Sequence, residues 1–266
     1  MFHVEHAEGN VNMAKVIAIF NQKGGVGKTT TTMNLTTALS MMGNKVLTVD
    51  IDPQGNTSSG FGIEKNELEK SVYDALIEDV SLKEIILTTS YKNLHILPSN
   101  LELAGSEIEL ANMRQRELRL RTCLKEIDDY YDYIFIDCPP SLGLLTINAL
   151  AASDSVLIPI QCEFYALEGV GQLMNTVALV KKGLNPKLEI EGVLMTMYDG
   201  RTNLSTQVVG EVRDYFKDKV YHTMIPRNVR LAEAPSYGQT IFEYAPNSKG
   251  SLAYSEFSRE FVERQA

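Results

Sequence analysis

The chain has 266 residues, is 44% hydrophobic and carries a net charge of −9. That length and apolar share suit one large α/β domain with a sizeable core, and no apolar run reaches the roughly 18 residues of a membrane span. Three cysteines without metal-ligand spacing read as reduced thiols, and the acidic balance argues mildly against a general nucleic-acid binder.

Residues 1–12 are acidic and lack an apolar core, so they have no targeting character. They read as a disordered extension, ahead of a single domain spanning residues 13–266. The apolar run Val16-Ile17-Ala18-Ile19-Phe20 then predicts a strand. It is followed by Lys23-Gly24-Gly25-Val26-Gly27-Lys28-Thr29-Thr30 and by Leu35, Ala38, Leu39 and Met42, spaced as the apolar stripe of a buried helix that Gly43 closes. Strand, glycine loop and helix in this order make a phosphate-binding loop. The strict G-x-x-x-x-G-K-[ST] pattern needs a glycine where Gln22 stands. The glycines let successive backbone N–H groups approach an anion above a helix N-terminus. Lys28 is expected on the β- and γ-phosphates, Thr29 on Mg²⁺ and Thr30 near the α-phosphate. Lys23 is an additional cation. It is either a solvated loop charge or a group that reaches a nucleotide held by a second copy, supplying charge in trans as an arginine finger does.

Further apolar runs at Val46–Val49, Leu94–Leu97, Ile134–Ile136, Val156–Ile160 and Gly192–Met197 alternate with helical patterns near 71–88, 102–129, 142–151, 166–182, 205–217 and 251–264. Continuously apolar strands suit a parallel sheet covered on both faces. The alternation predicts an α/β fold with a doubly wound, mostly parallel sheet and helices on both faces. Ligands of such sheets sit beyond the carboxyl ends of the strands. Two strands deliver carboxylates there. The first ends in Asp50-Ile51-Asp52-Pro53-Gln54-Gly55-Asn56, where only one aspartate need face a nucleotide. The other ends in Asp137-Cys138-Pro139-Pro140-Ser141, a Walker-B arrangement in which Asp137 would hold Mg²⁺ through water. Residues 201–230 are locally basic, with Arg201, Arg213, Lys217, Lys219, Arg227 and Arg230 against Glu211, Asp214 and Asp218.

The blocks Asn21–Thr30, Asp50–Asn56, Asp137–Ser141 and Ile225-Pro226-Arg227-Asn228-Val229-Arg230 resemble the ParA/Soj family of partition ATPases, whose phosphate loop is of the deviant Walker A type, and the likeness runs from about Met13 onward. The resemblance implies a P-loop ATPase that takes ATP and Mg²⁺ and hydrolyses slowly without a partner. The ATP contacts would be Gln22, Lys23, Gly24, Gly25, Val26, Gly27, Lys28, Thr29 and Thr30, with Pro226 and Asn228 near the base. The metal would be held by Thr29, Asp52 and Asp137. Asp52 would organise the attacking water, and Asp50 would support the metal shell or the loop. Lys23 would be the lysine that crosses an ATP-sandwich homodimer. Arg201 and Arg230 would grip double-stranded DNA without sequence preference. A ParB-like partner would stimulate hydrolysis, and a replication initiator would be a second target. The location implied is cytoplasmic and nucleoid-associated, without membrane contact. The lack of an Asn-Lys-x-Asp run also disfavours a guanine nucleotide.

Three other readings share features with this one. A MinD-like division-site regulator would need a basic amphipathic C-terminal helix, but the tail 254–264 holds three acids and two bases. A reductase of the nitrogenase iron-protein type would need cluster-binding cysteines, whereas Cys123, Cys138 and Cys162 read as buried thiols. A nucleotide-gated regulator of replication or transcription would look the same at this level. The four histidines form no cluster. Finally, one codon choice for Met1–His6 contains TGTTTCACGTGGAACA, which resembles the centromere-like site of ParB proteins. The extension is thus expected to reflect a DNA site at the start of the gene, with translation beginning at Met13.

Overall fold

The apolar runs assemble into one sheet in the computed structural model, which describes residues 13–164, 166 and 169–265. The N-terminal extension expected to be disordered lies outside the described residues. The strands are β1 (Lys15–Ile19), β2 (Val46–Asp50), β3 (Leu87–Thr88), β4 (Leu94–Leu97), β5 (Tyr133–Asp137), β6 (Ser155–Gln161) and β7 (Glu189–Thr196), in the spatial order β3-β4-β2-β5-β1-β6-β7. Neighbours are parallel except β3, which runs antiparallel to β4 at the edge. The continuous hydrophobicity of the strands has a direct cause. Val16, Ala18 and Phe20 face one buried layer, while Ile17 and Ile19 face the other.

The second layer is built on α1 (Lys28–Met41) and the C-terminal helix. In chain order the helices after α1 are α2 (Asn56–Gly60), α3 (Val72–Ile77), α4 (Leu82–Ile85), α5 (Ser106–Leu110), α6 (Arg119–Leu124), α7 (Leu144–Ala152), α8 (Val170–Gly183), α9 (Asn203–Phe216), α10 (Val229–Glu233), α11 (Ile241–Tyr244) and the C-terminal α12 (Lys249–Glu263), with α3 to α9 contributing to the first layer. Leu35 and Leu39 of α1 pack with Tyr254, Phe257 and Phe261 of α12 against Ile17, Ile19 and Phe135. Gly43 follows α1 with φ 97°, as expected of a left-handed cap. Met42, expected on the buried stripe, is instead half-exposed beyond the last turn.

Two long helical patterns are broken. The stretch 71–88 divides into α3, α4 and β3, with Asp79 at φ 58° between the helices. Ser71 and Asp74 form a capping box on α3, and Ser81 caps α4, so each short helix has its own start. The stretch 102–129 divides around Gln115 at φ 51°. Here Asn148 of α7 donates to the Arg116 carbonyl at 2.7 Å and accepts from Leu120 N–H at 3.1 Å. A side chain from a distant helix thereby takes backbone groups that a continuous helix would pair internally.

Candidate active site

β1 delivers its carboxyl end directly to the glycine loop. Asn21 fixes the entry, donating to the Pro159 carbonyl at 2.7 Å and accepting from Lys23 N–H at 3.0 Å. Gly25 and Gly27 take φ 73° and 90°, a region a side chain would strain. Space lies open where a Cβ would stand on Gly24 or Gly25. Gly27 is the N-cap of α1 and offers no side-chain cap, so the first-turn N–H groups face outward as anion donors. Thr196, at the end of β7, donates to the Val26 carbonyl at 2.8 Å and lies against Gly27. Gln22 reaches Thr176 of α8 at 3.4 Å, which accounts for a side chain where the strict loop has glycine.

Lys28 opens α1, is only 7% exposed and donates to the Lys23 carbonyl at 3.3 Å. Burial pushes its pKa down, opposed by the charges of Asp137, Cys138 and Asp52. Asp137 is buried at the end of β5. Its carboxylate accepts from Thr29 at 2.8 Å, Thr57 at 2.6 Å and Thr32 at 3.2 Å. Burial pushes its pKa up, while the Thr57 and Thr29 hydroxyls and Lys28 pull it down. No cluster of three or more His, Cys, Asp or Glu side chains exists among the described residues. A metal here would complete its shell with hydroxyl, phosphate and water oxygens around one or two carboxylates. That donor set fits Mg²⁺, which dehydrates reluctantly.

The two aspartates at the end of β2, Asp50 within it and Asp52 just beyond, divide their work. Asp50 is fully buried, opposite Asp137 in the strand register. Its Oδ2 accepts from both Ser58 N–H and Ser58 Oγ at 2.8 Å, and its Oδ1 accepts from Asp52 N–H at 3.2 Å. Burial, then Asp137, raise its pKa. Of the two expected roles, supporting the loop is the one these bonds serve. Asp52 accepts from Gln54 N–H at 2.9 Å and shapes the following turn. Sequence reasoning missed Thr32, Thr57, Ser58 and Ser99. The hydroxyl run Thr57-Ser58-Ser59 directly after the aspartate motif was the signal for two of them; Ser99 had none.

Lys23 is half-exposed and pairs with Glu163 at 3.3 Å. The basic segment folds beside it. Tyr198 bridges Pro226 in parallel, and Arg227 N–H donates to the Tyr198 carbonyl at 3.1 Å. The turn carrying Arg201 is therefore adjacent to the segment that leads into α10, whose second residue is Arg230; the loop expected at Arg230 is the first turn of this helix. Arg201 is held by Asp199 at 2.7 Å and Arg230 by Glu233 at 3.0 Å. Arg227, not singled out in the sequence, sits between them in the chain and lies 3.9 Å from Glu163. The Asn228 side chain accepts from Arg230 N–H at 2.9 Å and so caps α10. Cys138 and Cys162 are buried and Cys123 partly so, and burial pushes all three thiols up. No helix among the described residues is long and apolar enough to cross a membrane.

A parallel sheet with β5 between β1 and β2, a glycine loop opening α1 and a buried aspartate ending β5 define a P-loop nucleoside triphosphatase. Residues 14–190 match the family model described as an AAA domain. The chain is 59% identical over 248 residues to the sporulation initiation inhibitor protein Soj of Bacillus subtilis (strain 168), covering 93% of this chain and 98% of that one. It is 51% identical over 256 residues to the chromosome partitioning protein ParA of Myxococcus xanthus, covering 96% and 90%. Among solved structures it resembles cobyrinic acid a,c-diamide synthase from Mycobacterium smegmatis with bound ADP and magnesium, at 38% identity and TM-score 0.84 over 95% of this chain and 96% of that one. The chain belongs to the Soj/ParA family of chromosome-partitioning ATPases.

Proposed function

We propose that two copies of the chain clasp two ATP molecules between them, and that this dimer, not the single chain, binds DNA. The observation that carries the reading is the placement of two lysines. Lys28 is buried beneath the glycine loop, where it serves its own phosphates, while Lys23 stands half-exposed on the rim. A rim lysine adds little to a site already neutralised from below, but it can reach a pocket in a second copy.

In this reading the N–H groups from Gln22 to Thr30 cradle the phosphates, and Pro226 and Asn228 border the base. Thr29 and Asp137, with Asp52, hold Mg²⁺, which when bound neutralises charge on the β- and γ-phosphates. Lys28 stabilises charge developing on the transferred phosphoryl group, and Lys23 of the second copy adds to it. Asp52 orients the attacking water and takes its proton. Arg201 and Arg230 contact DNA phosphates. Hydrolysis opens the dimer and releases DNA, slowly unless a ParB-like protein accelerates it. The chain then works in the cytoplasm on the nucleoid, and a replication initiator is a second target of the same nucleotide switch.

The test is particle size with ATP, ADP or no nucleotide, for wild type and Asp52→Ala. Dimers are expected with ATP alone, accumulating in Asp52→Ala, and Lys23→Gln should abolish them. An Asp52→Ala chain that stays monomeric with ATP overturns the reading. Competition binding with GTP checks the choice of base.

A further inference from the structure

Both backbone groups of Asp52 are gripped by buried side chains. Its N–H donates to Asp50 Oδ1 at 3.2 Å, and its carbonyl accepts from Ser99 Oγ at 2.8 Å. Ser99 N–H donates in turn to Ser58 Oγ at 3.0 Å, and the Ser58 hydroxyl donates to Asp50 Oδ2 at 2.8 Å. The bonds close a ring: Asp50, Asp52, Ser99, Ser58 and back to Asp50. Asp50, Ser58 and Ser99 are fully buried. The donors and acceptors are consistent around the ring, since the Ser58 hydroxyl accepts once and donates once.

We propose that Ser99 and Ser58 are positioning residues, which fix the Asp52 backbone and thereby set the rate of hydrolysis. This rests on the reading of Asp52 as the group that orients the attacking water. The ring ties the turn after β2 to the turn after β4, strands that are parallel neighbours paired from Val46 with Leu94 to Val49 with Leu97. The two strand ends therefore act as one rigid frame. The chain comes close here, because a Cβ on Gly55 would stand 3.0 Å from the Ser99 carbonyl. The hydrogen bonds of Ser99 described above run to Ser58 and Asp52, not to the phosphate loop. Loss of its hydroxyl therefore leaves nucleotide binding in place and removes one of the two donors that hold the Asp52 carbonyl, the other being Gly55 N–H at 2.8 Å. A displacement of about 1 Å at a reacting centre is enough to cost up to 100-fold in rate.

The experiment measures kcat and KM for ATP hydrolysis, together with ATP-dependent dimerisation, in the full chain and in Ser99→Ala, Ser58→Ala, the double variant and Asp52→Ala. Ser99→Ala should lower kcat by about 10-fold or more, with KM unchanged and the dimer retained. Ser58→Ala should act in the same direction. The double variant should fall no further than the weaker single, because both hydroxyls belong to one chain of bonds. A general loss of structure would instead move KM and dimerisation together with kcat. Wild-type kcat in Ser99→Ala and Ser58→Ala, or fully additive losses, would overturn the proposal. Should Ser99→Ala not fold, Ser58→Ala decides by the same measurements. Wild-type turnover in Asp52→Ala would sink the underlying reading instead, so the two failures are distinguishable.

Discussion

The Lys23 ammonium shares Glu163 with Arg227 at 3.9 Å and with the Gln161 carboxamide, and this pair must open before Lys23 can cross to a second copy. A half-exposed pair contributes roughly 0.2–1 kcal/mol and a symmetric dimer opens two of them, so Glu163→Gln should strengthen the ATP-dependent dimer by up to about fivefold per copy, or about 30-fold in all. Sedimentation over a concentration series measures this; a weaker dimer would place Glu163 in the assembled interface instead. Asp50 makes a second test. Its pKa is raised from 3.8 to about 7 by burial and by Asp137. The folded chain therefore binds more protons than the unfolded one between those values. The stability owed to Asp50 is full below about pH 4 and is lost as pH rises through the raised value. In nucleotide-free protein, Asp50→Asn should gain on wild type between about pH 4 and pH 7 in urea unfolding; a constant difference would contradict the assignment. The sequence showed Lys23, Lys28, Thr29, Asp52 and Asp137 because each sits in a contiguous block. It could not show Ser99 or Glu163, whose partners lie 47 and 140 positions away. No local pattern encodes a hydrogen bond of that span.

At the scale of elements, the strands were legible because both faces of the sheet are covered, which forces uninterrupted apolar runs. The helices were legible only where they run several turns. Residues 113–127 keep mostly helix-forming side chains, but Asn148 diverts the backbone groups of Arg116 and Leu120. Propensity yields there to tertiary contact. The C-terminal helix shows the reverse case. Tyr254, Phe257 and Phe261 are spaced alike for a membrane surface or for a core, and sequence left only their flanking charge to choose between them. In the fold these residues are buried, and Phe257 meets Tyr221 edge-on at 4.8 Å. Phe257→Ala should therefore cost about 3–5 kcal/mol of unfolding free energy, read from urea melts. The intact protein should stay in the supernatant with anionic vesicles. A variant as stable as wild type would mean that α12 is not docked as described.

At the scale of the whole molecule, the proposed function asks an acidic chain to hold a polyanion. The Debye length is about 8 Å at physiological salt, so distant carboxylates are screened and the local surface decides. That surface offers Arg201 on a turn and Arg230 in the first turn of α10, each already paired with a partly exposed carboxylate. Exchanging such a pair for a phosphate costs little. Two contacts give a salt slope of roughly −1.8, too shallow for useful affinity, whereas the four of a dimer give about −3.6. Joining two weak footprints also raises affinity through effective concentration, without any new contact. DNA binding should therefore follow nucleotide state through the number of arginines presented together. Arg230→Ala removes two contacts per dimer, so with ATP its slope should fall from about −3.6 to about −1.8, while dimerisation persists. Fluorescence anisotropy on duplex DNA at several salt concentrations measures both slope and affinity. A variant that keeps the full slope would show that other cations meet the phosphates. Arg227, 66% exposed at its side chain and just ahead of α10, would be the first to examine.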